Sequence, residues 1–231
     1  MSRPATFGAR PGRTKMKRNA RPSLFDAAVG FDDPLEMLLA CHRRIERHLK
    51  TLGHLHEHLV KYGVDAEASL AAQAVLRYFT RAAESHHEDE EKDLFPLLEQ
   101  RIPAGPEKAR FNALRERLER DHEHVSELWA RFRKPLEGIA DGLPRTLNAA
   151  DVSAFIEAYT AHIMAEESAL QDLFERWIDE SDRAALGRSM RVRREMVGVR
   201  GFEPPTPASR TQYSTRLSYT PIYGEAREDE A

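Results

Sequence analysis

Between about Asp33 and Glu180 the apolar residues recur every three to four positions, the period of a helix with one buried face, and no run alternates as a half-buried strand does. The pattern predicts four long helices. The first opens at Asp33-Pro34, an acidic N-cap followed by a proline, carries the stripe Leu35, Leu38, His42, Ile45, Leu49, Leu52, His56, Leu59, and ends at Gly63. The second begins near Ala66, with Val75, Phe79, Ala82, His86, Glu90 and Leu94 on one face, and is disturbed at Pro96. Gly105-Pro106 opens the third, whose stripe is Phe111, Leu114, Leu118, His122, Val125, Trp129, Phe132, and Pro135 is expected to close it. The fourth is expected to be capped by Asp151 and reads Val152, Phe155, Tyr159, His162, Glu166, Ala169, Leu173, Trp177. A weaker helical segment runs from Asp182 to Arg194. Four such helices with short connections predict an all-α fold, an antiparallel up-down four-helix bundle.

The ends differ in texture. Residues 1–32 read as a disordered basic arm, since 1–22 hold seven Lys or Arg and no acid; 33–180 form the bundle, and 181–231 a short helix followed by a disordered tail. Gly201-Phe202-Glu203-Pro204 is compatible with translation through the complement of a transfer-RNA gene, which would make the tail a passenger. The chain of 231 residues has a net charge of only −3, but residues 23–189 hold 21 basic against 32 acidic side chains, a net of −11. An acidic domain disfavours nucleic acid as a partner. No stretch of 18 apolar residues predicts a membrane span, and the first 23 residues lack the apolar segment of a secretion leader. The single cysteine, Cys41, excludes an internal disulfide and a multi-thiolate zinc site, and a reducing cytoplasmic location is the default expectation.

The informative residues are the polar ones that interrupt the stripes. Each helix sets a histidine in its apolar face: His42, His86, His122 and His162. Two add a glutamate at i+4, His86 to Glu90 and His162 to Glu166, placing both side chains on one face roughly 6 Å apart along the axis. A glutamate in a core costs several kcal/mol, on the order of a buried unpaired ion, unless a cation matches it, and no arginine lies on any of the four stripes. Helices two and four share a longer pattern, His-x-x-x-Glu-Glu-x-x-Leu, in His86, Glu90, Glu91, Leu94 and again in His162, Glu166, Glu167, Leu170. Such an echo suits equivalent ligands in a pseudo-symmetric site. Four imidazoles and two carboxylates fit a pair of divalent ions, iron ahead of manganese or zinc.

These residues resemble a haemerythrin-like domain of the bacterial HHE cation-binding type over about 33–178, through His42, His86 with Glu90, Glu91 and Leu94-Phe95-Pro96, His122 in Asp121-His122-Glu123, and His162 with Glu166. The resemblance implies a four-helix bundle holding a non-haem di-iron centre, with Glu90 and Glu166 as bridges, the histidines as terminal ligands, and dioxygen or a related diatomic or peroxide ligand at an open position. It also implies apolar walls, here Leu38, Ile45, Phe79, Val125 and Phe155. Oxygen-carrying members place two histidines a turn apart on the third helix, whereas His122 has Leu118 at i−4 and Ser126 at i+4. Water, Glu119 or Glu123 is the expected substitute for that fifth histidine, with Glu46 a further possible ligand. The departure leaves three functions open: a binding protein or sensor for dioxygen, iron or nitric oxide; a di-iron redox enzyme of the peroxide or iron oxidase type; and a metal-free scaffold.

Among the remaining candidates, Tyr159, one turn before His162, is a candidate hydrogen-bonding neighbour of a ligand. His87 and His124 lie about 100° and 200° around their helices from His86 and His122 and are expected outside the site. His54 and His58 are expected on a solvated face, His56 half-buried at the end of the bundle, and Cys41 as a small buried residue.

Overall fold

The computed structural model describes residues 32–196, the side chain of Met196 excepted; the expected disordered N-terminal arm and the expected disordered tail beyond Met196 lie outside the described residues. Among these residues all regular structure is helical, in five runs: α1 (Pro34–Tyr62), α2 (66–101), α3 (Pro106–Ala140), α4 (Ala149–Trp177) and α5 (Glu180–Met196). No described helix is long and apolar enough to cross a membrane.

The ends of the helices follow local chemistry. Asp33 accepts a hydrogen bond from the Glu36 N–H at 3.0 Å, with Pro34 in the first turn, and Gly63, at φ +76°, stops α1 in a conformation that suits glycine. The expected cap of α4 is corrected: Asn148, not Asp151, caps it, its side chain accepting from Ala150 N–H at 2.8 Å and Asp151 N–H at 3.2 Å. Pro135 does not close α3 either; the helix passes through it to Ala140. A proline inside a helix costs about 3 kcal/mol. Leu136 and Ile139, both fully buried just beyond it, contribute about 1.5–3 kcal/mol each, enough to carry the last turn.

Pro96 likewise does not end α2. The run alternates α-helical segments (Ala66–Arg77, Ala83–Asp89, Phe95–Arg101) with two π turns, Tyr78–Ala82 and Glu90–Leu94, in which Ala83 N–H donates to Tyr78 C=O and Phe95 N–H to Glu90 C=O. The second π turn widens the helix directly before Pro96, where the ring would otherwise meet the carbonyl four residues back.

In space α1 packs on α2, α2 on α3, α3 on α4, and α4 back on α1. The interior is divided in two. One apolar cluster gathers Leu49, Leu52, Val75, Phe79, Leu128, Phe132, Val152 and Phe155; the other gathers Met37, Leu38, Leu94, Phe95, Phe111, Leu118, Leu170 and Phe174. Helices α1 and α3 run from the second cluster into the first, and α2 and α4 run the reverse way. His42, His86, Glu90, His122, His162 and Glu166 lie at the chain positions where each helix crosses from one cluster to the other, so the polar residues form a layer between two dry cores.

Candidate metal centre

All six residues of that layer are buried: His86, Glu90 and His162 at 0%, His42 and Glu166 at 2%, and His122 at 4% relative exposure. They meet in two adjoining groups, His42, His86, Glu90, Glu166 and His87, His122, His162, in each of which one donor atom per residue lies within 4.8 Å of all the others. The carboxylates join the groups. Glu90 Oε1 is 3.1 Å from His86 Nε2 while its Oε2 is 3.2 Å from His122 Nε2. Glu166 Oε2 is 3.1 Å from His42 Nε2 and 3.4 Å from His162 Nε2. Each glutamate thus reaches a histidine on either side, the placement of a bridge between two ions.

Several of these contacts are close without being hydrogen bonds. His86 Nε2, both oxygens of Glu90, His122 Nε2 and both ring nitrogens of His162 are buried with no hydrogen-bond partner. Orphaned donor atoms at this depth are costly, about 1–3 kcal/mol each, and their convergence fits a group that all of them ligate. Imidazole nitrogen and carboxylate oxygen suit iron, zinc or manganese.

A second layer of carboxylates sets the rings. Glu167 Oε1 stands 2.9 Å from His42 Nδ1, and Glu91 Oε1 stands 2.6 Å from His122 Nδ1, leaving the Nε2 atoms turned inward. Both come from the doubled glutamates of the sequence echo: the first Glu of each pair faces the interior and the second steadies a histidine on a neighbouring helix. The echo was the signal for these two roles, which the reading of the stripes left unassigned.

The histidines of the layer differ in how burial and the two carboxylates act on them. Burial opposes protonation of His42, but Glu166, Glu90 and Glu167 outweigh it and raise its pKa to about 9. Burial likewise opposes protonation of His122, which the adjoining carboxylates of Glu90 and Glu91 raise to about 9. His162 goes the other way, to about 4, because burial outweighs the Glu166 charge. Burial and the neighbouring Glu166 push the Glu90 carboxyl up; burial also acts on Glu166, yet His42 beside it holds its carboxyl below the usual value.

The expectation that His87 lies outside the site is corrected. Its ring stacks on that of His122 at 3.9 Å with planes 10° apart and belongs to the second group of donors. Because α2 touches both α1 and α3, adjacent residues face opposite neighbours: His86 turns to His42, ring centres 4.8 Å apart, and His87 to His122. A fifth histidine is therefore present, on α2 rather than α3. The proposed substitutes do not join either group: Glu46 and Glu123 are exposed, and Glu119 stands 3.6 Å from Arg115. His124 and His54 are exposed and His56 is half-buried, as expected; His58, expected on a solvated face, is instead largely covered and pairs with Asp65 at 3.0 Å. Cys41 is buried at 1%. Tyr159, 3% exposed, stacks on His87 at 5.9 Å and packs edge-on to His162 at 6.4 Å.

The two faces of the centre differ. Beside His42 and Glu166 lies an apolar cavity of about 10 Å³ walled by Leu35, Leu38, Leu94 and Leu170. Beside His87 and His122 opens a cavity of about 550 Å³, walled by Phe79, Val125, Trp129, Phe155 and Tyr159, with Glu84, Glu88, Glu91 and Glu123 also lining it.

Comparison with known proteins points to a cation-binding family. The chain is 30% identical over 166 residues, 72% of its own length and 92% of the relative's, to an uncharacterized protein of Haemophilus influenzae. Residues 33–174 match the hemerythrin HHE cation-binding domain, a span that contains all seven residues of the two donor groups, and the chain belongs to that family.

Proposed function

We propose that this protein holds a carboxylate-bridged pair of iron ions and uses it to bind or sense dioxygen, or the related ligand nitric oxide, within an up-down four-helix bundle. The observation that carries the reading is the pair of donor groups joined by Glu90 and Glu166. Five imidazoles and two carboxylates fit iron better than manganese, which favours more oxygen donors, or zinc, which favours four ligands. One ion would rest among His42, His86 and the two glutamates, the other among His87, His122, His162 and the same glutamates. Iron so held would supply the electrons that dioxygen binding needs.

The chain's own residues do the rest. Glu91 and Glu167 keep His122 and His42 turned inward, and the leucines beside His42 exclude water. The space there, about 10 Å³, is at the lower limit for one water-sized guest, so a diatomic would enter only as the leucines give way. Anaerobic loading with ferrous iron followed by metal analysis tests the reading: about two irons per chain are expected, and His86→Ala is expected to fall toward one. Fewer than about one iron per chain, or unchanged content in His86→Ala, would overturn it.

The larger cavity favours the second reading, a di-iron redox enzyme. At about 550 Å³ it is in the range of small-molecule sites and far beyond what a diatomic needs, and its lining, four glutamates against Lys92 and Arg133, is acidic on balance and favours cations such as ferrous iron. Mixing the reduced protein with air separates the two. A stable, spectrally distinct adduct supports binding or sensing; repeated turnover with added ferrous iron or peroxide supports the enzyme.

A further inference from the structure

The matched family domain ends at residue 174, yet α5, beyond it, is tied to the metal centre from behind. Asp89 and Asp93 bracket the π turn Glu90–Leu94, which carries both Glu90 and Glu91. Both aspartates are held by one short stretch of α5. Arg193 donates to Asp89 through Nη1 and to Asp93 Oδ2 through Nη2 at 2.7 Å; Ser189 Oγ donates to the same Asp93 oxygen at 2.9 Å. Arg194 Nη2 donates to the second oxygen of Asp89 at 2.5 Å and lies 3.9 Å from Cys41 Sγ. Asp89 is fully buried and Arg194 is 3% exposed, so this is an interior charge pair. Asp89 directly precedes Glu90, and Cys41 directly precedes His42: Arg194 touches the chain one residue before a donor on each of two helices.

A π turn is an insertion that a helix can lose by shifting one residue into the regular ladder, which would rotate Glu90 and Glu91 by about 100° and undo both the bridge and the support of His122. A clamp that fixes the residue before the turn and one within its last two positions opposes that shift. We propose that Arg193 and Arg194 are positioning residues of the metal centre, holding the π turn 90–94 so that Glu90 and Glu91 stay in register. This rests on the metal-binding reading above, and Arg101, which pairs with Asp182 at the opposite end of α5, provides an internal control.

The test uses the full chain loaded with ferrous iron under anaerobic conditions, and follows transfer of iron to the chelator ferrozine together with the melting temperature of the metal-free protein. In Arg193→Met/Arg194→Met, release is expected to quicken by about 10- to 100-fold, as when a group supporting a ligand is lost. Arg101→Met is expected to release iron as the parent does. Because removing one side of a buried pair also lowers stability, two further variants separate the effects. Asp89→Leu/Arg194→Met removes both charges and is expected to recover the melting temperature while release stays fast. Leu136→Ala, in the far core cluster, lowers stability without touching the turn and is expected to release iron slowly. If wild type retains iron and Arg193→Met/Arg194→Met retains it equally, or Leu136→Ala releases it as fast, the positioning role is wrong. If wild type itself takes up no iron, the metal reading fails and this inference falls with it.

Discussion

On the proposed two-ion reading, His87 decides how the second ion would be held. Its ring lies flat against His122, and with His162 the three form a group whose nitrogens point to one place. Replacing His87 by Gln keeps a polar side chain but removes the imidazole donor; iron content is expected to fall from about two toward one per chain, because the His42–His86 group is left whole. Metal analysis after dialysis against weak chelator checks this, and full retention of both ions would place His87 outside the ligand set. A different histidine gives a pH dependence. His48 stacks on Tyr78 with ring centres 4.3 Å apart; burial, with Arg47 and Arg77 nearby, lowers its pKa from 6.5 to about 4. The unfolded chain therefore binds a proton between pH 6.5 and about 4 that the folded chain refuses, and stability falls as pH drops through that window. In His48→Phe this contribution vanishes. Melting curves of the metal-free proteins are expected to diverge in favour of the variant between pH 6.5 and 4, and parallel curves would refute the assignment. At this scale the sequence was readable where burial and charge conflict: His42, His86, Glu90, His122, His162 and Glu166 interrupt apolar stripes. His87 was not, because an angle around one helix cannot show that α2 faces donors on both of its neighbours.

Element boundaries depend on which of two local signals is stronger, and Asn148 and Asp151 illustrate it. Both are good N-caps by type, but only Asn148 accepts hydrogen bonds from the first free N–H groups of α4. Asn148→Ala is expected to cost about 1 kcal/mol in chemical denaturation, and Asp151→Ala markedly less, since Asp151 sits in the first turn with only the helix dipole and Arg131 at 3.6 Å to favour it. Equal losses would mean that α4 starts later than Ala149. Prolines were misread for a related reason. Pro135 and Pro96 are breakers by local chemistry, and Leu136 with Ile139 in one case, and a π turn in the other, override them through contacts that residue spacing does not encode. The π turns themselves were invisible, since the stripe Phe79, Ala82, His86, Glu90, Leu94 tolerates an inserted residue without losing its 3–4 rhythm. Helices α1, α3 and α4 were otherwise legible along most of their length, because each is amphipathic over many turns and bounded by glycine, proline or a capping side chain.

Over the whole molecule, the polar layer separates two apolar cores and so weakens the domain wherever it lacks its ions. Two buried carboxylates face five histidines there, and those carboxylates favour protonated His42 and His122. A ligand that binds the folded state alone adds stability according to its concentration over its dissociation constant, about 2.7 kcal/mol at a hundredfold excess. For a domain of this size that corresponds to a melting temperature raised by roughly 5–10 °C. Stripping the protein with chelator is expected to lower the transition by that amount, and ferrous iron added without air to restore it in proportion to its concentration. The shift has a built-in control. In His86→Ala the same additions are expected to move the transition clearly less, whereas Asn148→Ala, weaker in the fold but intact in the layer, is expected to show the full increment from a lower starting point. A transition that ignores iron in the parent chain, or moves equally in His86→Ala, would show that the layer is held by protons and hydrogen bonds alone.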